Sequence, residues 1–229
     1  HAFVYDALTK IYNGTAVLET SPFPNATRGH IVVPGMPRQD LAKAKEFLAK
    51  SAHPNGGVEL EYVYVQSLEE ERKMGLVLID NLGKLNIKVK LVPLTWPNMV
   101  ARAAKVESSP DMMAVFATPV STDPDAVAYQ YHKSSWGKYY GSSFYQNADV
   151  WGLIERARTA AKWEERAPIY ADIQRRIAAD QPEIFGMLAN RRWGLRDYVK
   201  GFQFSPVRFT GDVDLCPLGI VVKRGPFSP

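Results

Sequence analysis

The sequence predicts an α/β fold in which parallel βαβ units build a mixed sheet flanked by helices. Three observations carry this. A run rich in β-branched and aromatic residues, 58–65, and an alternating apolar/polar run, 86–91, read as strands. Between them Met74, Leu78, Leu82 and Leu85 recur at helical spacing. A helical crossover of that length makes its two strands parallel, with a right-handed connection. A third apolar run, 112–117, follows another helical stretch, so strands and helices alternate.

In order along the chain, residues 2–12 read as a helix. Residues 13–37 contain Pro22, Pro24, Pro34 and Pro37, which exclude a long regular element. Val17, Leu18, Phe23, Ile31 and Val32 imply that this segment packs over a core. Asp40 opens a helix to about residue 50, with Leu41, Ala44 and Leu48 on one face. His53-Pro54-Asn55-Gly56-Gly57 ends it. Ser67 is placed to cap the next helix, with Glu70 as capping-box partner. Thr95 and Pro97 start a helix near 98–105. Asp123-Pro124-Asp125 is a turn and helix-start signal, and 126–132 read as helical. An aromatic loop covers 133–146. Two helices follow, with Val150, Leu153, Ile154 and Ala157 on the inner face of the first and Ile169, Ile173 and Ile177 on that of the second. Gln181-Pro182 stops the second helix, 184–188 read as a buried strand, and 198–209 have strand character.

With 229 residues, 46% of them hydrophobic, the chain can bury the core of one large domain, or of one domain and part of another. Its net charge of +4 is dispersed, and the densest basic pairs are Arg191-Arg192 and Arg175-Arg176, which is not the footprint of a nucleic-acid surface. A single cysteine, Cys216, excludes an internal disulfide and suits a cytosolic or a periplasmic protein. No apolar run reaches the roughly 18–20 residues of a membrane span. The chain begins at His1 inside a helix-like stretch, which reads as a processed or cut piece of a longer protein.

Catalytic motifs are scarce. HExxH, CxxC, GxSxG and the phosphate-binding GxxxxGK[ST] are all missing. The four histidines, His1, His30, His53 and His132, are dispersed, and no spacing supplies a metal site. No cofactor is expected. Attention falls instead on the loop at the carboxyl end of the third strand, because ligands of α/β proteins sit there. Its candidates are Ala117, Thr118, Pro119, Val120, Ser121 and Asp123, extended by Tyr129, His132 and Trp136. Tyr129, Tyr131, Trp136, Tyr139 and Tyr140 offer flat apolar area with polar tips, as in binding clefts. A packed loop covering the sheet uses the same residue types, and both readings stand. Asp123 and Asp125 could form an acid–base pair, but accepting hydrogen bonds from free N–H groups at a helix start is the simpler role.

The ordered series DLAKAKEFLAKS (40–51), NIKVKLVPLTW (86–96), DMMAVF, STDPDAVAY, NADVWGLIERART (147–159) and ERAPIYADIQRRIAADQPEIF (165–185) resembles the family 5 extracellular solute-binding proteins of ABC transporters, the peptide/nickel/oligosaccharide type. The resemblance covers about residues 1–212. It implies a non-catalytic receptor, periplasmic or extracellular and membrane-anchored, whose two lobes close on a solute and deliver it to ABC permease subunits. It places this chain in the carboxy-terminal half. Residues 1–190 are then the second, ligand-binding lobe of a periplasmic-binding-protein-like fold, and 191–229 return toward the first lobe. The tail, 216–229, is atypical. Peptide-binding members carry a tryptophan and an aspartate before the DPD turn, and the aspartate pairs with the peptide's α-ammonium group. Those places fall on Ala117 and Val120, and Val120 carries no charge. The expected ligand is a small peptide-like or other polar solute, bound by a monomer without nucleic acid. The alternatives are a hydrolase using Asp123 or Asp125 with His132, and a protein-interaction module presenting the aromatic loop.

Overall fold

A computed structural model of the chain describes residues 1–116, 121–190, 194–200 and 221–222. Its centre is a three-stranded parallel sheet. Strand β2 (Val58–Val65) pairs with β3 (Ile87–Leu94) on one side and with β4 (Met112–Met113) on the other. Helix α3 (Glu69–Gly83) is the crossover between β2 and β3. Pro93 sits in β3, an edge strand, where its missing N–H costs no ladder bond to an outer neighbour. An antiparallel pair, β1 (Ala16–Leu18) with β5 (Met187–Ala189), forms a separate two-stranded sheet, so the parallel and antiparallel pairings fall in different sheets. A second antiparallel pair joins β6 (Val199–Lys200) to β7 (Val221–Val222).

The side chains of β2 alternate between two covered faces, as a buried central strand requires. Tyr62 and Tyr64 pack with Leu78 of α3 and with Phe3, Tyr5 and Leu8, the last from α1 (Asp6–Ile11). Val63 and Val65 pack on the opposite face with Met99 of α4 (Trp96–Arg102). Gly75 lets α3 approach the sheet closely: a Cβ there would lie 2.6 Å from Leu91 and 2.8 Å from the Tyr62 ring. Asp40 caps α2 (Leu41–Ala49) as expected, accepting from Lys43 N at 3.0 Å.

The remaining core joins α6 (Ala148–Thr159) and α7 (Trp163–Asp180) with α5 (Asp125–Ala128), Phe23 and Phe185. The inner faces read from sequence hold for Val150, Ile154, Ala157, Ile169, Ile173 and Ile177, which are buried, while Leu153 is only partly buried against the same core. Asn147 caps α6 by accepting from Val150 N. In the proline-rich segment Phe23 is fully buried, whereas Val17 and Val32 face outward.

Four local expectations need correction. Ser67 does not cap α3, whose N-cap is Leu68 without a side-chain hydrogen bond. Glu71 instead turns back and accepts from Val65 N at 2.8 Å, joining the helix start to the strand end. Of the run expected over 112–117, the described residues 112–116 form strand only over Met112–Met113. The helix expected over 126–132 is one α-turn followed by a 3₁₀ turn at Tyr129–Tyr131. The strand expected over 184–188 is shifted to Met187–Ala189, and Ile184 is exposed.

Two outcomes follow. Gly75→Val should overpack the α3–β2–β3 contact and lower stability by about 1–3 kcal/mol, read from urea unfolding. Burial pushes the Glu71 carboxyl up to about 7, against the pull of the Val65 N–H. A carboxyl raised on folding favours the fold while protonated, and that contribution is lost as pH rises through 7. Glu71→Gln keeps an acceptor for Val65 and has no charge to bury. It should exceed the parent's stability at pH 8 by on the order of 2 kcal/mol, with the gap largely closed at pH 5.

Candidate functional site

The turn that follows β4 carries two ion pairs, of which the tighter joins Asp123 to α7. Arg166, from the second turn of α7, donates to both oxygens of Asp123, Nη2 to Oδ1 at 2.8 Å and Nη1 to Oδ2 at 3.1 Å. The same Nη2 also reaches the Tyr170 hydroxyl at 3.1 Å. Asp123 Oδ1 in turn accepts from Asp125 N at 2.9 Å, the expected bond to a free backbone N–H, whereas Asp125 Oδ1 has no hydrogen-bond partner among the described residues. Burial alone would raise the Asp123 pKa, but Arg166 and the Asp125 N–H outweigh it and hold the carboxyl below its ordinary range. Asp125 has the opposite balance. Burial raises it against the pull of Arg158, whose Nε lies 3.3 Å from Oδ2.

Pro124 is buried, but its neighbours open outward. Ser121, Asp123, Asp125, Tyr129, Gln130, Tyr139 and Tyr140 line a hollow of about 400 Å³. Ser121, Gln130, Tyr139 and Tyr140 also line a larger cleft of about 1950 Å³. Tyr12, Phe116, Glu19 and Glu183 stand farther along that cleft. Tyr139 meets Trp96 and Tyr140 edge-on, each at 5.1 Å between ring centres. Tyr129 lies between the His132 ring at 5.5 Å and the Arg158 guanidinium at 4.4 Å. Burial lifts Glu19 to about 8. Glu183 accepts from the Tyr131 hydroxyl at 3.4 Å and is held above the ordinary carboxylate range by the protein around it, although its side chain opens to the cleft.

The backbone on the other side of the turn is anchored by a buried amide. Gln174 of α7 accepts from Ser21 Oγ at 2.8 Å and Ile31 N at 3.1 Å, and donates to Gly29 O at 2.9 Å and Tyr170 O at 3.0 Å. The loop so fixed places Arg28 N 2.8 Å from Thr122 O.

Of the residues expected at the site, Ser121, Asp123 and Tyr129 line the hollow together. Ala117, Thr118, Pro119 and Val120 lie outside the described residues. His132 is buried and does not line the hollow: Nδ1 accepts from Ser134 N at 3.2 Å, and Nε2 faces Glu155 at 3.2 Å. That assignment puts the proton on Nε2. Trp136 donates to Tyr145 O and meets Phe144 and Trp151 edge-on, bracing the loop, and about a third of its surface stays exposed. Sequence reasoning left Gln130 out of the site altogether, and it counted Tyr139 and Tyr140 in the aromatic cluster without placing them at the hollow. Their spacing behind the DPD turn was the available signal. Asp123, Asp125 and His132 each face a different partner, Arg166, Arg158 and Glu155.

The sequence model of the bacterial extracellular solute-binding proteins, family 5 Middle, matches residues 1–139. The chain belongs to this family. Among curated relatives, it is 25% identical over 199 residues to the probable D,D-dipeptide-binding periplasmic protein DdpA of Escherichia coli, covering 86% of this chain and 38% of that protein. It is 26% identical over 135 residues to the oligopeptide-binding protein AppA of Bacillus subtilis, covering 59% of this chain and 24% of the relative. The solved structure of the periplasmic binding protein DppA from Helicobacter pylori, in complex with the peptide STSA, superposes with a TM-score of 0.72 at 27% identity, over 82% of this chain and 36% of that one. HbpA2 from Haemophilus parasuis superposes with a TM-score of 0.77 at 23% identity, over 98% and 44%. The fold is therefore that of the periplasmic binding proteins, and the chain spans well under half the length of these relatives. No helix among the described residues is long and apolar enough to cross a membrane.

Within this family 5 chain, Arg166→Ala should loosen the DPD turn. The pair is partly exposed, so the expected loss is about 1 kcal/mol. Arg166→Lys should recover only part of it, since a lysine cannot grip both oxygens. Urea midpoints of the three proteins check this.

Proposed function

We propose that this chain forms a ligand-binding lobe of a two-lobed solute receptor serving an ABC importer. Residues 1–190 make the lobe and 191–229 lead toward the other. The receptor acts outside the cytoplasmic membrane as a monomer, holds a small peptide-like or other polar solute, and passes it to permease subunits. It performs no chemistry on the solute.

The observation that carries this reading is the opening of the DPD turn. Ser121, Asp123 and Asp125 border a hollow walled by tyrosines and continuous in lining with a much larger cleft. Flat aromatic walls with polar tips, set in a concave surface, suit a solute enclosed between lobes. The peptide held by the Helicobacter pylori relative supports the same ligand size.

Calorimetry on the full-length protein, with short peptides and other polar solutes, tests the reading. Binding is expected, and Tyr139→Ala or Tyr140→Ala should weaken it about tenfold by removing stacking area. Absence of binding across a broad set would overturn the proposal. Turnover of any bound solute, lost in Asp125→Asn, would favour the hydrolase instead.

A further inference from the structure

Two residues of the hollow are held by one side chain that does not line it. Arg158, in the last turn of α6, places Nε 3.3 Å from Asp125 Oδ2 and its guanidinium 4.4 Å from the centre of the Tyr129 ring. Asp125 and Tyr129 both line the hollow, whereas Arg158 lines neither the hollow nor the larger cleft.

The Asp125 carboxyl has little else to hold it. Its Oδ1 is buried without a hydrogen-bond partner among the described residues. The other groups of either charge that face it are Asp123 in the same turn, His132, and Arg166 and Tyr170 from α7. Of these, Arg166 already gives both Nη atoms to Asp123. Burial raises the Asp125 carboxyl, Arg158 supplies the largest opposing pull, and the charge on Asp123 works against it. Without Arg158 neither oxygen of this carboxyl keeps a side-chain partner.

The same guanidinium orders the aromatic wall. The Tyr129 ring has the His132 ring at 5.5 Å, and Lys138 Nζ stands farther off at 5.9 Å. A planar guanidinium against a tyrosine face is held both by the ring's charge distribution and by stacking, and so restricts the tilt of the ring. About half of the Arg158 side chain is exposed, so its ion pair contributes little to the stability of the whole fold. Its effect is local to the hollow.

Resting on the receptor reading above, we infer that Arg158 is a positioning residue for solute binding: without touching the solute, it sets the Tyr129 ring and the Asp125 carboxylate where a solute meets them.

The test uses the full-length protein. Calorimetry with a set of short peptides and sugars reads affinity, thermal unfolding reads stability, and NMR follows the titration of the Asp125 carboxyl without solute. Arg158→Gln should weaken the tightest of these solutes about tenfold, with thermal unfolding nearly unchanged. It should also move the Asp125 titration to higher pH, because the pull that opposes burial is gone. Arg158→Lys keeps a cation for both contacts and should restore the titration and most of the affinity. Unchanged affinity in Arg158→Gln, or an unmoved Asp125 titration, overturns this inference and leaves the receptor reading standing. Affinity that falls together with thermal stability and is not restored by lysine overturns it as well, since a purely structural part would do the same. A parent protein that binds none of the solutes overturns the receptor reading and this inference with it.

Discussion

The buried amide of Gln174 sets the geometry on which the candidate site rests. Its oxygen takes two hydrogen bonds and its nitrogen gives two, so its whole capacity is used with no exposure to solvent. Three of those bonds go to residues 21, 29 and 31, in a stretch that prolines keep out of helix and sheet. A buried amide left short of partners is costly, so the satisfied arrangement is strongly preferred over any shifted one. The irregular segment is thereby fixed to α7. Through the Arg28–Thr122 backbone bond it fixes the approach to the DPD turn from one side. Arg166, two helical turns earlier on the same helix, holds that turn from the other. One helix thus positions both walls.

This bracing also decides the electrostatics. Both aspartates of the turn face arginines, Asp123 through two hydrogen bonds and Asp125 at 3.3 Å, while Asp125 Oδ1 has no hydrogen-bond partner among the described residues. What remains to meet a solute in the hollow is aromatic area, hydroxyl and amide groups, and the Asp125 carboxyl with its free oxygen. Peptide-binding relatives are expected to place an aspartate three residues before the turn, where Val120 stands here.

Much of the fold was legible because it rests on local periodicity. The bounds of β2 follow from its β-branched and aromatic run, and the inner faces of α6 and α7 from isoleucine, valine and alanine spacing. The strand-end rule led to Ser121 and Asp123, and the aromatic count led to Tyr129. What could not be read depends on partners distant in sequence. Asp123 and Arg166 are 43 positions apart, and Ser21 and Gln174 are 153 apart. The role given to Ser67 failed for a related reason. Its capping-box pattern is present, yet Glu71 lies where it can serve the end of β2, and the helix starts one residue later. His132 looked available, but the neighbouring Ser134 N–H and the distant Glu155 take its two nitrogens.

Glu19 gives the cleft a further property. With its carboxyl lifted to about 8, it is mostly neutral at pH 7 and offers an O–H to the cleft rather than a charge. A solute that approaches this wall alters the cost of ionising it. If such a solute buries this wall further, the carboxyl would take up protons on loading, and the heat measured would then depend on the ionisation enthalpy of the buffer.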